Sequence, residues 1–465
     1  SRFIPYIETV YSEYQKKKKS LNTVDYDDLL FYWLKLTKSQ DIGIKLSSRF
    51  RYILVDEYHD TNKLQGLIIY QMAKVHRNIL VVGDDAQSIY SFRGATIDNI
   101  LEFPKIYPDV KIFYLTTNYR STPEILNLAN NIISHNRMQF PKKLVSIRKT
   151  GIKPVVVRCQ DAKDEALFVA QRVFQLINSG INASEIGILF RSRYQAAELE
   201  IELNKLKIPY IVRGGLKFFE QAHIKDIVSY FRIVENFKDE LSWKRVLLLH
   251  DGIGNITAEK IWKLVSICKN LQELKKKIEK VKIPRRTRES LLNLMKILEK
   301  IPNFSEISEG ISYIVNSEYS GILKKKYPDY SERLEDIESL KTISKSYKSL
   351  HDFLTEVSLQ EYFKGENAYF RQPLVLSTIH QAKGLEWKIV FLIGVCHNHF
   401  PHPSSTFDIT ALEEERRIFY VGVTRAKEDL YITYYLRDFH RLSFARKSLF
   451  IEELSPSLYE EWTFG

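Results

Sequence analysis

Short apolar runs rich in valine and isoleucine recur along the chain, each bounded by turn-forming or charged residues. Helical periodicity fills most of the gaps between them. Continuous apolar strands that alternate with helices are typical of parallel sheets covered on both faces. The predicted strands are Tyr52–Val55, Ile79–Val82, Ile112–Leu115, Pro154–Val157, Ile186–Phe190, Ile389–Ile393 and Leu430–Tyr434.

These strands fall into two groups, the first three and the last four, which predicts an α/β protein with two parallel-sheet lobes. Between about residues 236 and 371 the strand signals fade, and lysine-rich amphipathic stretches such as Tyr330–Leu350 replace them. We expect a mostly helical insertion there. It splits the second lobe, because strand signals resume at Leu374.

Charge and composition narrow the class of protein. The 69 lysines and arginines exceed the 57 aspartates and glutamates by 12, which favours a polyanionic partner such as nucleic acid. The longest apolar runs have the length of strands, so neither a membrane span nor a signal-peptide core is predicted. Cys159, Cys268 and Cys396 are far apart in sequence, which argues against a disulfide framework or a four-cysteine zinc site. We expect an intracellular, cytoplasmic protein, associated with the nucleoid if it is prokaryotic.

Two adjacent carboxylates, Asp56 and Glu57, end the first predicted strand. Ligands of open α/β sheets bind at the carboxyl ends of strands. Nucleotide hydrolysis needs one carboxylate to hold Mg²⁺ and another to position and deprotonate water. The alternative interpretation of Asp-Glu alone is a surface turn that follows a strand.

A cluster of polar and aromatic residues follows the second predicted strand. Gln87 offers an amide that can sense a phosphate oxygen or the attacking water, and Tyr90, Phe92 and Arg93 come next. The two rings suit either base stacking or an ordinary core. After the third predicted strand comes Tyr119-Arg-Ser-Thr-Pro123, in which Ser121 or Thr122 caps a helix. By itself, Arg120 is more typical of an ordinary surface arginine.

Five motifs in one order carry a resemblance to a known family. The chain resembles the UvrD/PcrA/Rep group of superfamily 1 DNA helicases. The motifs are Val55-Asp-Glu-Tyr-His-Asp-Thr-Asn62, Gly83-Asp-Asp-Ala-Gln-Ser-Ile-Tyr-Ser-Phe-Arg-Gly-Ala95, Asn118-Tyr-Arg-Ser-Thr122, Ser377-Thr-Ile-His-Gln-Ala-Lys-Gly-Leu-Glu-Trp387 and Glu413-Glu-Glu-Arg-Arg-Ile-Phe-Tyr-Val-Gly-Val-Thr-Arg-Ala426.

The resemblance implies two RecA-like lobes that close on ATP and Mg²⁺. It divides the chain into residues 1–48, a helical remnant of the first-lobe insertion; 49–115, the C-terminal part of the first lobe; 116–235 and 372–465, the second lobe; and 236–371, the helical insertion. It also implies a role for each motif residue. Asp56 would bind Mg²⁺ and Glu57 would be the general base. Gln87 and Arg120 would contact the γ-phosphate, and Arg425 would be the arginine finger. Tyr119 would stack on adenine, while Gly384 and Glu386 would lie at the nucleotide, with Glu386 on the ribose.

For DNA, the resemblance implies an ATP-dependent helicase or translocase that moves 3′ to 5′ on single-stranded DNA and acts at junctions between single and double strands. Repair or replication proteins would be its partners. The residues implied in DNA binding are Tyr90, Phe92, Arg93, His380, Gly252 and Gly254. An ordinary loop is the alternative interpretation of Gly252-Ile-Gly254.

The chain departs from the family pattern at several positions. His59 stands where glutamine is usual, Phe92 where tryptophan is common, and Ser91 where arginine is frequent. None of the 18 glycines is followed by lysine, so no phosphate-binding Gly-x-x-x-x-Gly-Lys-Thr loop is present. We therefore expect a C-terminal portion of a helicase whose first lobe is truncated and which alone hydrolyses ATP negligibly. The alternative is a non-catalytic DNA-binding or partner-binding protein on the same scaffold.

Overall fold

The computed structural model describes residues 4–213, 217–280, 284–362, 372–438, 443–444 and 446–465. Its contacts divide the chain into two compact units. The first comprises Ser1–Thr116, Ile133–Leu144 and Asp408–Val421; the second comprises Thr117–Ile132, Val145–Phe407 and Gly422–Gly465. Among the described residues, no helix combines the length and the apolar character that crossing a membrane requires.

The first unit is built mainly from helices around a small parallel sheet. Its strands β1 and β2 pair in parallel, with Ile53 opposite Ile79. A capping box between Asp25 and Asp28 fixes the start of α2. The elements are α1 (Ile4–Ser20), α2 (Tyr26–Lys38), α3 (Gln40–Arg49), β1 (Ile53–Val55), α4 (Lys63–Ala73), β2 (Ile79–Val81), α5 (Asp98–Leu101) and α6 (Phe103–Ile106).

The predicted third strand, Ile112–Leu115, is wrong. The structure assigns it no strand, and the side chains of Phe113 and Leu115 are 83% and 88% exposed. A β-strand requires hydrogen bonds to a neighbour. The short strand in this region comes two residues later, where β3 (Thr117–Asn118) pairs with β4 (Val145–Ser146) in the second unit. An apolar run therefore does not suffice to predict a strand.

The second unit contains a large parallel sheet with the strand order β12-β5-β10-β9-β6-β8-β7. The short β11 pairs antiparallel with β10. The strands are β5 (Val155–Asp161), β6 (Ile186–Phe190), β7 (Tyr210–Val212), β8 (Leu374–Thr378), β9 (Trp387–Leu392), β10 (Ala426–Asp438), β11 (Ser443–Phe444) and β12 (Glu460–Thr463). The four later predicted strands all lie on this sheet, so the predicted mixed α/β class with parallel pairing is confirmed.

Helices account for the rest of the second unit. Between β7 and β8 the described residues form helices and turns, and α10 through α18 share one apolar core that includes Trp243, Leu294 and Phe353. The helices are α7 (Pro123–Ile133), α8 (Ala162–Asn178), α9 (Ala197–Lys205), α10 (Ala222–Glu235), α11 (Glu240–Leu247), α12 (Asn255–Ser266), α13 (Leu271–Lys280), α14 (Arg285–Lys300), α15 (Ile307–Ile314), α16 (Ser320–Lys326), α17 (Tyr330–Ser344), α18 (Leu350–Tyr362) and α20 (Leu449–Glu452). Helix α19 (Ile409–Val423) belongs to the first unit as far as Val421.

The unit boundaries differ from the predicted domain edges. Helix α10, predicted to precede the insertion, packs into the same apolar core as the helices that follow it. Residues 133–144 and 408–421, predicted in the second lobe, cluster with the first unit. Hydrogen bonds explain the second difference, because Lys142 and Arg417 bind the segment that follows β2. The predicted edge at residue 371 lies outside the described residues.

Candidate functional site

The paired carboxylates stand at the end of β1, in the first unit. Asp56 and Glu57 are both exposed, and the Glu57 N–H donates to Asp56 Oδ1 at 2.9 Å. Glu57 has a left-handed backbone with φ of 49°. That conformation is uncommon for a residue with a side chain and clusters at functional sites. The strand end therefore presents two solvent-facing acids in a fixed local geometry.

A buried histidine ties these acids to the next loop. His59 Nδ1 accepts the Asp84 N–H at 3.1 Å, which places the ring proton on Nε2. Nε2 lies 3.4 Å from both Glu57 Oε2 and Asp60 Oδ1. Glu57, His59 and Asp60 offer ligand atoms within 4.8 Å of one another. Because Nε2 already carries the proton, the ring is arranged to donate to carboxylates rather than to bind a metal.

Gln87 lies in a short helical turn after β2, in the same unit. Its amide donates to Asp84 Oδ2 at 2.7 Å. Lys142 bonds both Asp84 and Asp85, and Asp85 is buried. Burial by itself would raise the pKa of Asp84, but the ion pair with Lys142, the hydrogen bond from Gln87 and the nearby His59 together hold that pKa below its ordinary value. Sequence reasoning missed Lys142, since a lysine so far along the chain carries no local signal.

The aromatic loop, residues 90–93, groups Tyr90, Phe92 and Arg93. The two ring centres are 5.9 Å apart, and the Arg93 guanidinium carbon lies 5.7 Å from the Tyr90 ring and 5.6 Å from the Phe92 ring. Burial raises the pKa of Tyr90, whereas the Phe92 side chain is 65% exposed. The structure thus brings these three predicted residues together and leaves one ring accessible to a ligand.

An open cavity of about 570 Å³ lies in the second unit, beside the turn after β3. Its lining is mainly polar and carries three cationic side chains. The lining residues are Thr117, Asn118, Tyr119, Arg120, Arg148, Glu386 and Lys427. Asn118 Oδ1 accepts the N–H groups of Arg120 and Ser121, which fixes the turn that presents Tyr119 and Arg120.

Glu386 is the anionic centre of this cavity. Lys427 Nζ lies 2.8 Å from Glu386 Oε1, and Arg120 Nε donates to Glu386 Oε2 at 2.6 Å. These bonds, first Lys427 and then Arg120, lower the pKa of Glu386 to about 2. The Tyr119 ring is 73% exposed at the same site. Sequence reasoning predicted Tyr119, Arg120 and Glu386 but missed Lys427 and Arg148.

Arg148 supports the cavity wall through the backbone. Its guanidinium donates to the carbonyls of Arg120 and Lys427 at 2.7 and 3.2 Å, and to Glu428 Oε1 at 2.8 Å. The sequence predicted cavity residues from the motifs, and Arg148 was missed because it lies outside every motif. Its cationic side chain nevertheless adds to the positive lining.

Arg425, the predicted arginine finger, is buried in the second unit, with 1% of its side chain exposed. Its guanidinium donates to the Leu385 carbonyl at 3.2 Å and to Thr424 Oγ1 at 3.0 Å. It is absent from the described lining of the cavity. Gly384, next to Leu385, has φ of 83°, a conformation that favours glycine. The structure therefore places Arg425 against the turn that carries Glu386, not at an open surface.

The remaining predicted residues lie elsewhere in the second unit. His380 is half-buried in the turn after β8. Gly252 has φ of 83° and accepts a hydrogen bond from Thr287, while Gly254 directly precedes α12. The Arg286 guanidinium, and then Lys325, hold the pKa of the adjacent Asp251 below its ordinary value. The glycine loop thus has cationic side chains next to it.

Comparison of the sequence with those of known proteins shows that the chain is similar to helicases. Residues 113–437 match the model of the UvrD-like helicase C-terminal domain, and residues 3–108 match that of the UvrD/REP helicase N-terminal domain. The ATP-dependent DNA helicase PcrA of Bacillus subtilis strain 168 is 35% identical over 98% of this chain and 64% of its own length. PcrA of Staphylococcus epidermidis strain RP62A is 34% identical over 98% of this chain and 65% of its own length.

These matches also bear on the expected truncation. The chain spans just under two thirds of the length of these curated relatives. We expected a C-terminal portion of a helicase that lacks the phosphate-loop region. The match of residues 3–108 to the N-terminal helicase domain does not bear out that expectation.

Proposed function

This chain belongs to the family of UvrD-like helicases, and from that premise we propose that it works in an ATP-dependent DNA helicase that moves 3′ to 5′ on single-stranded DNA. The observation that carries the proposal is the cavity in which Arg120 and Lys427 hold Glu386 beside an exposed Tyr119 ring. A nucleotide offers the complementary parts, which are a base to stack, hydroxyls to bond and phosphates to neutralise.

We propose two RecA-like lobes as the scaffold of this activity, with a helical insertion in the second. The parallel sheet of the second unit and the helical core of α10 through α18 support this organisation.

The second unit would bind ATP through its cavity. Tyr119 would stack on adenine, Glu386 would accept the ribose hydroxyls, and Arg120 would turn to the γ-phosphate. In the structure Arg120 is bonded to Glu386, so it must exchange that carboxylate for a phosphate oxygen. Lys427 stays bonded to Glu386 throughout and so keeps the carboxylate in place. Gly384 would permit the turn that presents Glu386 at the nucleotide.

The first unit would supply the groups that act on water and metal. Two exposed carboxylates at a strand end are the hard oxygen ligands that Mg²⁺ requires, so Asp56 and Glu57 fit such an ion. Bound Mg²⁺ would neutralise charge on the phosphates. Asp56 would hold the metal, Glu57 would take the proton of the attacking water, and Gln87, fixed by Asp84, would orient the γ-phosphate. Arg425 would act as the arginine finger after giving up its bond to the Leu385 carbonyl.

DNA would contact both units. Phe92 and Tyr90 would stack on bases, Arg93 and His380 would contact the strand, and the N–H groups near Gly252 and Gly254 would meet duplex phosphates beside Arg286 and Lys325. Single-stranded DNA and its junctions with duplex are the proposed substrates, and repair or replication proteins the proposed partners. Because no glycine is directly followed by lysine, we also propose that the chain alone hydrolyses ATP negligibly.

Binding measurements test the proposal without requiring turnover. We expect the 465-residue chain to bind a fluorescein-labelled oligothymidylate, with affinity that falls steeply as salt rises. We expect a fluorescent ATP analogue to bind in the presence of Mg²⁺, and Arg120→Ala to weaken that binding while Arg437→Ala, at an exposed arginine of β10, does not. Salt-independent DNA binding, or analogue binding indifferent to Arg120→Ala, would refute the helicase assignment. DNA-stimulated turnover that Glu57→Gln abolishes would refute negligible hydrolysis by the chain alone.

A further inference from the structure

The aromatic loop is held from outside by a carboxylate on α19. Glu414 accepts the Ser91 N–H on Oε1 at 3.0 Å, and the Ser91 hydroxyl donates to its Oε2. Ser91 begins the short helical turn Ser91–Arg93, and Tyr90 provides no side-chain cap for it. Glu414 therefore satisfies an N–H that the turn itself leaves open.

The part of α19 that carries the Glu414 carboxylate is held in place by neighbouring hydrogen bonds. Its neighbour Glu413 accepts the N–H groups of Arg137 and Met138 at 2.7 and 3.3 Å. One turn further along α19, the buried Arg417 donates to the Ser88 carbonyl at 2.9 Å. Hydrogen bonds thus hold the helix at residues before and after Glu414, and Glu414 itself bonds the loop at Ser91, between Ser88 and Phe92.

The contact between Glu414 and Ser91 matters because the neighbouring Phe92 ring is mostly exposed. That ring contacts Tyr90 and Arg93. A ring that stacks on a base binds more tightly when its position is fixed beforehand, since less conformational entropy is lost on binding. The serine here takes the place of the arginine frequent in the family, and it supplies the hydroxyl that completes the two-point contact.

We propose that Glu414 is a positioning residue for base stacking, which acts through Ser91 to hold Phe92 and Arg93 ready for single-stranded DNA. This inference rests on the proposed DNA-binding role of the aromatic loop. The sign of the charge effect makes it testable. Removing a negative charge near a DNA site would by itself strengthen binding to a polyanion, whereas losing the hydrogen bonds between Glu414 and Ser91 weakens binding.

The test measures the anisotropy of fluorescein-labelled oligothymidylate with the full chain. We expect Glu414→Ala to raise Kd by about five- to tenfold despite the lost negative charge. Ser91→Ala should raise Kd as well, and the double variant should be no weaker than Glu414→Ala alone, because both changes break one contact. Ser91→Thr keeps the hydroxyl and should restore near-normal binding. Glu102→Ala, which removes an exposed carboxylate elsewhere in the first unit, should leave Kd unchanged or slightly lower.

A second reporter separates positioning from general stability. In a Phe92→Trp background, with the signal of the five native tryptophans subtracted by means of matched chains that keep Phe92, Glu414→Ala should lower the anisotropy of the introduced tryptophan without DNA. The thermal midpoint of the chain should stay unchanged. If Phe92→Ala weakens DNA binding but Glu414→Ala does not, the positioning role is refuted and the DNA site stands. If the unaltered chain does not bind oligothymidylate, or Phe92→Ala binds as well as it does, both the DNA site and the positioning role fail.

Discussion

Arg120 donates from Nε to Oε2 of Glu386 at 2.6 Å, although 266 positions separate the two residues in sequence. The bond links the turn after β3 to the turn before β9. Lys427, at the start of β10, bonds the other carboxylate oxygen. Three segments that are distant in sequence therefore meet at one carboxylate, and together they line the cavity.

The depressed pKa of Glu386 predicts a stabilisation that is present at neutral pH and lost in acid. The folded pKa is about 2 and the ordinary value is 4.5, so the ionised carboxylate stabilises the fold above pH 4.5. That contribution is lost as pH falls from 4.5 through 2. We expect Glu386→Gln to lower the free energy of unfolding at neutral pH and to match the unaltered chain near pH 2. Urea unfolding across this range measures the difference.

Arg425 predicts a large structural cost when it is replaced. Truncation to alanine removes a buried guanidinium and leaves the Leu385 carbonyl without that donor, so we expect Arg425→Ala to cost about 3 kcal/mol of unfolding free energy. Arg425→Lys, which retains a charge and a donor, should cost less. Chemical denaturation measures both. Arg437→Ala on the exposed part of β10 is the control and should be close to neutral. A cost equal to that of the control would show that the burial of Arg425 contributes nothing to stability.

Glu165, in the first turn of α8, predicts the opposite dependence on pH. Burial raises its pKa to about 7 even though Thr433 and the Gly394 N–H donate to it. The folded state therefore prefers the protonated acid, and stability from this group is complete below pH 4.5 and lost as pH rises through 7. We expect Glu165→Gln to stabilise the chain above pH 7, by about 3 kcal/mol at most. Thermal unfolding at pH 5 and pH 8 measures this, and an equal effect at both would contradict it.

Lys142 predicts a local defect in the first unit. It bonds Asp84 and the buried Asp85, so Lys142→Met leaves two carboxylates unpaired and should cost about 3 kcal/mol. Amide exchange measured by mass spectrometry should accelerate at residues 84–93. Lys143→Met changes the exposed neighbour by the same chemistry and should leave exchange there unaltered. Protection that survives Lys142→Met would mean that the turn does not depend on this ion pair.

The sequence predicts those features that depend on local pattern. The apolar runs around Ile188 and Val390 give buried strands, because a run of that kind suits a strand covered on both faces. Motif order likewise predicts that Tyr90, Phe92 and Arg93 lie together. Residues that act over long separations escape this reasoning, as do Lys142, Arg148 and Glu414. Burial escapes it too, since nothing in Thr424-Arg425 indicates that the guanidinium faces inward.

The contact between Arg425 and the Leu385 carbonyl has one further consequence. Leu385 immediately precedes Glu386, so drawing the guanidinium outward removes a support from the turn that meets the nucleotide. The free energy of releasing the arginine and the affinity of the carboxylate for its ligand are then thermodynamically linked. If release of Arg425 changes the affinity of Glu386 for its ligand by some factor, binding of that ligand changes the equilibrium for release of Arg425 by the same factor.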